Sequence, residues 1–178
     1  MTQSTRLNCS CGQFEMVVTG EPFIATECHC NSCREAGERM AKLPLARPML
    51  EDNGGTRFVL YRKDRVEITK GKELLRAHRL SGTAPTRRVV TTCCNSPVFL
   101  EFKGGHWLSV YSSMWPAGQA PLPSIRTMTS DRAADVVLDA AIPSGTWQTA
   151  GFYGKLLTAW IAMGFKVPTI EIKDEVVT

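Results

Sequence analysis

The sequence predicts a mainly β fold of small antiparallel sheets with a short C-terminal helical extension. Three observations carry that reading. Alternating apolar and polar residues broken by turn signals fill positions 56–111, seven cysteines stand at the ends of such runs, and sustained helical periodicity begins only beyond residue 130.

Taken in order, Leu7 to Thr19 reads as a hairpin bent at Cys9 and Cys11, with Phe14, Met16 and Val18 alternating on its second arm and Glu21-Pro22 closing it. Phe23 to Thr26 is a short strand that delivers Cys28 and Cys30. Asn31 to Ala41 reads as a loop or short helix with Ser32 as a possible cap. Pro44 and Pro48 mark a connector, and Asp52-Asn53-Gly54-Gly55 a turn. Strands then follow at Phe58–Tyr61, Val66–Ile68, Glu73–Leu80, Arg87–Thr92, Val98–Lys103 and His106–Tyr111. The Gly104-Gly105 pair between the last two is the strongest hairpin signal in the chain. In the tail, Asp131–Ala141 carries Ala134, Val137 and Leu138 on one helical face. Gln148–Met163 carries the stripe Phe152, Leu156, Leu157, Trp160 and Ile161. The chain therefore divides into a β domain over 1–115 and an extension over 116–178, whose two helices pack on the same domain.

Composition narrows the function. A chain of 178 residues suits one domain with a genuine core. Twenty-one Lys and Arg against 17 Asp and Glu leave a charge of +4, too small and too dispersed to imply nucleic acid. The longest apolar stretch, Leu156 to Phe165, falls short of the roughly 18 residues a spanning helix needs, so no membrane is expected. Met1-Thr2-Gln3-Ser4-Thr5-Arg6 lacks the apolar segment of a secretory signal, and a cytoplasmic location is the expectation.

The cysteines fall at 9 and 11, at 28, 30 and 33, and at 93 and 94. An odd number in a chain expected to be cytoplasmic does not suit a disulfide framework. Thiolates that share one ion must converge: with Zn–S near ~2.3 Å, two tetrahedral ligands sit about 4 Å apart. A straight strand sets residues i and i+2 roughly 6.6 Å apart, so the backbone must bend at the pair. Gly12 after Cys11 and Asn95 after Cys94 both suit the left-handed conformation that such a bend requires. The other readings are buried structural thiols, or a redox pair at Cys30-Asn31-Ser32-Cys33. Zinc is favoured over iron–sulfur because a ferredoxin spacing is absent.

In order, Cys9-Ser10-Cys11-Gly12, then Cys28-His29-Cys30-Asn31-Ser32-Cys33-Arg34, then Cys94-Asn95-Ser96-Pro97-Val98-Phe99 resemble the signature of the glutathione-dependent formaldehyde-activating enzymes, the family that includes the relatives of centromere protein V. The resemblance covers about residues 5 to 115 and implies the β-tent zinc fold. It also implies up to two Zn2+ ions. One would be structural, held by Cys9, Cys11 and Cys94, with the remaining knuckle position on Thr91 and Cys93 as the substitute ligand. The other would be of catalytic type, held by Cys28, Cys30 and Cys33 with an open fourth position. The activity implied is that of a carbon–sulfur lyase acting on the adduct of glutathione, or another small thiol, with an aldehyde such as formaldehyde.

Other residues are read more plainly. His29 and Arg34 are the candidate substrate-binding neighbours: His29 donates a hydrogen bond behind the ligands or assists proton transfer, unless it is a solvent-facing spacer. Arg34 meets a substrate carboxylate or forms a surface salt bridge. His78 and His106 are surface or packing residues, and Trp107 and Trp115 belong to the core or its rim. The competing function is a non-catalytic zinc-stabilised binding module on the same fold; nucleic-acid binding is a distant third.

Overall fold

The computed structural model describes residues 3–177, so Met1, Thr2 and Thr178 of the stretches read above lie outside the described residues. In chain order its elements begin β1 (Ser4–Asn8), β2 (Glu15–Thr19), β3 (Ile24–Cys28), α1 (Asn31–Met40), β4 (Thr56–Arg62), β5 (Val66–Lys70) and β6 (Leu75–Arg79). They continue β7 (Thr86–Thr91), β8 (Pro97–Phe102), β9 (Trp107–Tyr111), β10 (Ile125–Thr127), α2 (Thr146–Ala162) and β11 (Asp174–Val177). The protein is mainly β with a helix near its C-terminus, as expected.

The first hairpin forms as its alternation predicts: β1 pairs antiparallel with β2, and β5 completes a three-stranded sheet in the order β1-β2-β5. Phe14, Met16 and Val18 are all fully buried, because a period of two sends every second side chain to one face. The remaining strands form an eight-stranded sheet in the order β10-β3-β4-β9-β8-β7-β6-β11. Its inner pairs are antiparallel, including the β8–β9 hairpin with Leu100 opposite Ser109. The outermost strands at both edges, β10 on β3 and β11 on β6, are parallel.

Each face of this large sheet has its own core. Val59, Val89, Phe99, Leu108 and Val110 pack with Leu7, Phe14 and Met16 of the small sheet. Phe58, Leu60, Val90, Leu100 and Tyr111 face the other way and pack under Cys33 and Met40 of α1, with Phe152 of α2 against the same cluster.

Helix α1 buries Cys33, Ala36, Gly37 and Met40, the i, i+3, i+4, i+7 stripe of one face, while Glu35 and Arg39 pair one turn apart outside. Its N-cap is Cys30, not Ser32: the Cys30 sulfur accepts the Cys33 backbone N–H at 3.4 Å. A sulfur thus occupies the place usually taken by an oxygen.

The extension differs from expectation in two ways. Asp131–Ala141 is not an α-helix; after a 3-10 turn ending at Asp131, arginine side chains hold it in an irregular path. Arg126 holds Asp139 through its carbonyl at 2.6 Å and its carboxylate at 2.9 Å, and the Arg132 side chain binds the carbonyls of Thr129 and Val136. The described residues of 116–178 therefore contribute one α-helix, not two, together with the edge strands β10 and β11. The stripe on α2 is also only partly inward. Leu156, Ala159 and Met163 are buried, whereas Leu157 and Ile161 are about half exposed. Among the described residues no helix is long and apolar enough to cross a membrane.

Candidate metal centres

Cys9 follows the end of β1, and the chain turns back at once. Gly12, with φ +73°, donates its N–H to the Cys9 carbonyl at 3.0 Å, and Cys9 donates to the Phe14 carbonyl at 3.2 Å. The facing turn joins β7 to β8. There Asn95 takes φ +50° and donates its N–H to the Thr91 carbonyl at 2.8 Å, which aims the Cys93 and Cys94 side chains at the first turn. Both left-handed positions fall where the sequence places them.

The result is a group of four sulfurs, Cys9, Cys11, Cys93 and Cys94, all within 4.8 Å of one another. Cys9 lies 3.6 Å from Cys11 and 3.8 Å from Cys93, and Cys93 lies 3.8 Å from Cys94. These separations match the edges of a tetrahedron around an ion bound at ~2.3 Å and far exceed the ~2.05 Å of a disulfide. All seven cysteines are free.

Thr91 joins this site as an anchor. Its hydroxyl oxygen accepts the Ser96 N–H at 3.2 Å and touches the Cys94 sulfur at 3.4 Å. Ser96 ties the two turns together, accepting the Ser10 N–H at 3.0 Å while its hydroxyl reaches the Cys94 sulfur at 3.1 Å. Burial opposes ionisation of Cys94, but hydrogen bonds from Ser96, Thr91 and the backbone outweigh it and bring the thiol down to about 5. Cys93 is pushed up to about 12 by desolvation and by its sulfur neighbours.

The second group is Cys28, Cys30 and Cys33, whose sulfurs also lie within 4.8 Å of one another, with Cys28 and Cys33 at 3.9 Å. Cys28 ends β3, held opposite Thr56 of β4, and Cys30 and Cys33 occupy the cap and first turn of α1. Cys30 is the favoured thiolate. Hydrogen bonds from Cys28 and Cys33, aided by Ser32 and the Cys33 N–H, pull it well below the usual thiol range. The helix N-terminus favours the same charge. The hydrogen bond with Cys30 and desolvation raise Cys28 against the opposing pull of Cys33, and hydrogen bonds with Cys28 and Cys30, with desolvation, raise Cys33. Among the described residues no fourth histidine, cysteine or carboxylate joins this group.

His29 and Arg34, the two neighbours read as substrate-binding, both have partners within the fold. His29 is buried rather than a solvent-facing spacer, and its Nε2 lies 3.0 Å from Glu27 Oε1 on the opposite face of the sheet from Cys28. Among the described residues Arg34 forms no surface salt bridge. It donates to the Asp131 carbonyl at 2.9 Å and to the Asn31 side chain, and so fastens the first turn of α1 to the extension.

The sequence reading missed what lies behind the cluster. Glu27 is fully buried and accepts from Arg126 Nε at 2.7 Å, Asn53 Nδ2 at 3.1 Å and Arg57 Nε at 3.3 Å, besides its contact with His29. Burial works against its charge, but the Arg126 and His29 hydrogen bonds prevail and hold it below the usual carboxylate range. Gly55 is required there, since a Cβ would stand 2.9 Å from both Glu27 Cγ and His29 Cε1. On the cysteine face, Arg88 is 1% exposed and donates to the Ser32 carbonyl at 3.0 Å and Thr86 Oγ1 at 3.4 Å, while its Nε has no partner among the described residues. His78 and His106 are both buried packing residues, His106 stacking on Trp160.

The fold and these sites define a mainly β protein with two cysteine clusters geometrically able to hold metal. The chain belongs to a family of unknown function, DUF6151, whose model matches residues 1–155. No curated protein matches it. A crystal structure of a Rhodobacter sphaeroides protein is similar at a TM-score of 0.45 and 17% identity, covering 64% of this chain and 89% of that one.

Proposed function

We propose that this protein binds zinc at both clusters and acts as a carbon–sulfur lyase on the adduct of glutathione, or another small thiol, with an aldehyde. The observation that carries the reading is the Cys28, Cys30 and Cys33 group, which offers three thiols and no fourth protein donor among the described residues. An all-sulfur donor set suits zinc, and three ligands with one position left are the arrangement of a working rather than a closed site. A zinc ion held there would supply an acceptor for an incoming thiol, lowering its pKa and keeping it ionised.

The chain's own residues set the geometry. β3 and the capped turn of α1 fix the three sulfurs, and Arg34 fixes that turn against the extension. In the synthetic direction the ligand's sulfur bonds to the aldehyde carbon, the carbonyl oxygen takes a proton from solvent, and the reverse reaction breaks the same C–S bond. Most of the acceleration comes from holding two small reactants together. The test is exchange NMR of glutathione with formaldehyde in the presence of zinc-loaded protein. Acceleration lost in Cys28→Ser supports the assignment; no acceleration with zinc verified at that cluster removes it.

The non-catalytic binding module is favoured by one observation, the exposed Trp147, Tyr153, Leu157 and Ile161 on α2. A melting temperature unmoved by glutathione supports that reading, since a ligand of the native state raises it by mass action.

A further inference from the structure

Arg88 is the largest fully buried side chain of the described residues. It lies on β7, on the face that carries Val90, with His78 of β6 and Leu100 of β8 as its cross-strand neighbours. Its guanidinium reaches the first turn of α1, where it donates to the Ser32 carbonyl, and the Ser32 hydroxyl in turn lies 3.4 Å from the Cys30 sulfur. No carboxylate pairs with Arg88 among the described residues, and its Nε is buried without a partner.

A buried cation demands an opposing charge, because desolvation without one costs several kcal/mol. The acidic groups at hand are the Tyr111 phenol and the three thiols. Tyr111 belongs to the apolar cluster that includes Cys33 and has Cys28 and Cys30 packed against it, and the Ser32 contacts bring the Arg88 guanidinium to the turn that carries Cys30. Burial raises that phenol far above its ordinary range, against the pull of Arg88, so it stays neutral. His78 adds no negative charge, and Asp174 near it pairs with Arg76. The thiols remain. Three thiolates around a divalent ion carry a net charge of −1, and one guanidinium brings the assembly to zero.

We propose that Arg88 is the buried counter-charge of the metal-loaded Cys28, Cys30 and Cys33 cluster, a positioning residue that ties the first turn of α1 to the sheet and favours a divalent ion there. This rests on the proposed occupation of that cluster. The same side chain links the ion to the fold, since it anchors the Ser32 carbonyl in the turn that carries Cys30 and Cys33.

The experiment titrates the full chain with zinc against a competing chelator, comparing wild type with Arg88→Met, Arg88→Lys and Cys28→Ser. Cys28→Ser identifies which of the two bound ions belongs to the cluster. Arg88→Met is expected to weaken that ion alone by roughly 10- to 100-fold, the usual effect of losing a partner behind the ligands. It should leave the melting temperature of the one-zinc form unchanged or higher. Arg88→Lys, which keeps the charge, should hold affinity within a few-fold of wild type. The proposal is overturned if Arg88→Met leaves affinity intact, if it lowers the melting of one-zinc and two-zinc forms equally, or if Arg88→Lys loses as much as Arg88→Met. A wild type whose zinc content Cys28→Ser does not reduce overturns the metal reading itself, and this inference with it.

Discussion

Glu27 and Cys28 follow one another on β3 yet serve opposite faces of the large sheet: the carboxylate accepts from Arg126, His29, Asn53 and Arg57 on one side, and the thiol joins Cys30 and Cys33 on the other. The strand that presents Cys28 to the candidate metal group is thereby locked from behind by a buried ionic network. Glu27→Gln keeps the shape but removes the charge that two guanidinium groups share. It is expected to lower stability by about 3 kcal/mol, the scale for breaking a buried pair. Denaturant unfolding measures this, and a midpoint unchanged within error would deny the network that role.

Gly55 supplies a second handle on the same network. A methyl group there meets Glu27 Cγ and His29 Cε1 at 2.9 Å, so Gly55→Ala should cost about 1–3 kcal/mol through overpacking. Combined with Glu27→Gln it should be markedly non-additive, because both changes disturb one set of contacts. Simple additivity in a double-mutant cycle would mean that the alanine is accommodated elsewhere.

The four-cysteine group joins turns more than 80 residues apart, and a filled thiolate site of this kind contributes on the order of 10 kcal/mol to folding at neutral pH. Zinc removal by chelation should therefore produce a large fall in melting temperature, and so should Cys94→Ser. Cys28→Ser should lower it far less, since α1 keeps its packing against the sheet. Elemental analysis is expected to give two zinc ions per wild-type chain and one in either variant.

Thr91 separates an anchor from a ligand. Thr91→Val removes the acceptor of the Ser96 N–H and the contact with Cys94. The expected cost is about 1–2 kcal/mol for an unsatisfied buried donor, with the zinc content unchanged. A lost zinc ion would instead make the hydroxyl a ligand.

His78 gives the fold a dependence on pH. Desolvation, with help from Arg76 and against the pull of Asp174, lowers its pKa below the ordinary 6.5, and neither ring nitrogen has a partner among the described residues. Arg88 stands across from it on β7. Below about pH 6.5 the unfolded chain takes up a proton that the folded chain resists, so stability is flat above that value and falls as pH drops through it. His78→Leu should shallow that fall when both zinc-loaded proteins are melted between pH 7.5 and pH 5. An identical slope would assign the loss to other groups.

Much of the β framework is legible in the chain. Phe14, Met16 and Val18 announce a buried face by their spacing, and Gly104-Gly105 announces the hairpin that the structure forms. The cysteine groups are legible too, because thiols separated by one to three residues and followed by Gly12 or Asn95 imply convergent turns. What local pattern could not reveal lies in long-range electrostatics. Arg126 is 99 residues from Glu27, and nothing near either predicts their contact. The same arginine explains the missing helix at Asp131–Ala141, whose apolar periodicity is overruled once Asp139 is drawn to the guanidinium. Cys30 as a cap is likewise invisible to rules built on oxygen acceptors.

The large sheet runs between the two sulfur groups, so Cys9 and Cys94 share one apolar compartment while Cys33 faces the other. Metal held at one group would therefore be separated by the sheet from metal held at the other, and loading on one side need not report to the other. The chain is thus arranged as a rivet and a socket on opposite sides of a single wall: four sulfurs that can close around an ion on one side, and on the other three with no fourth protein donor among the described residues.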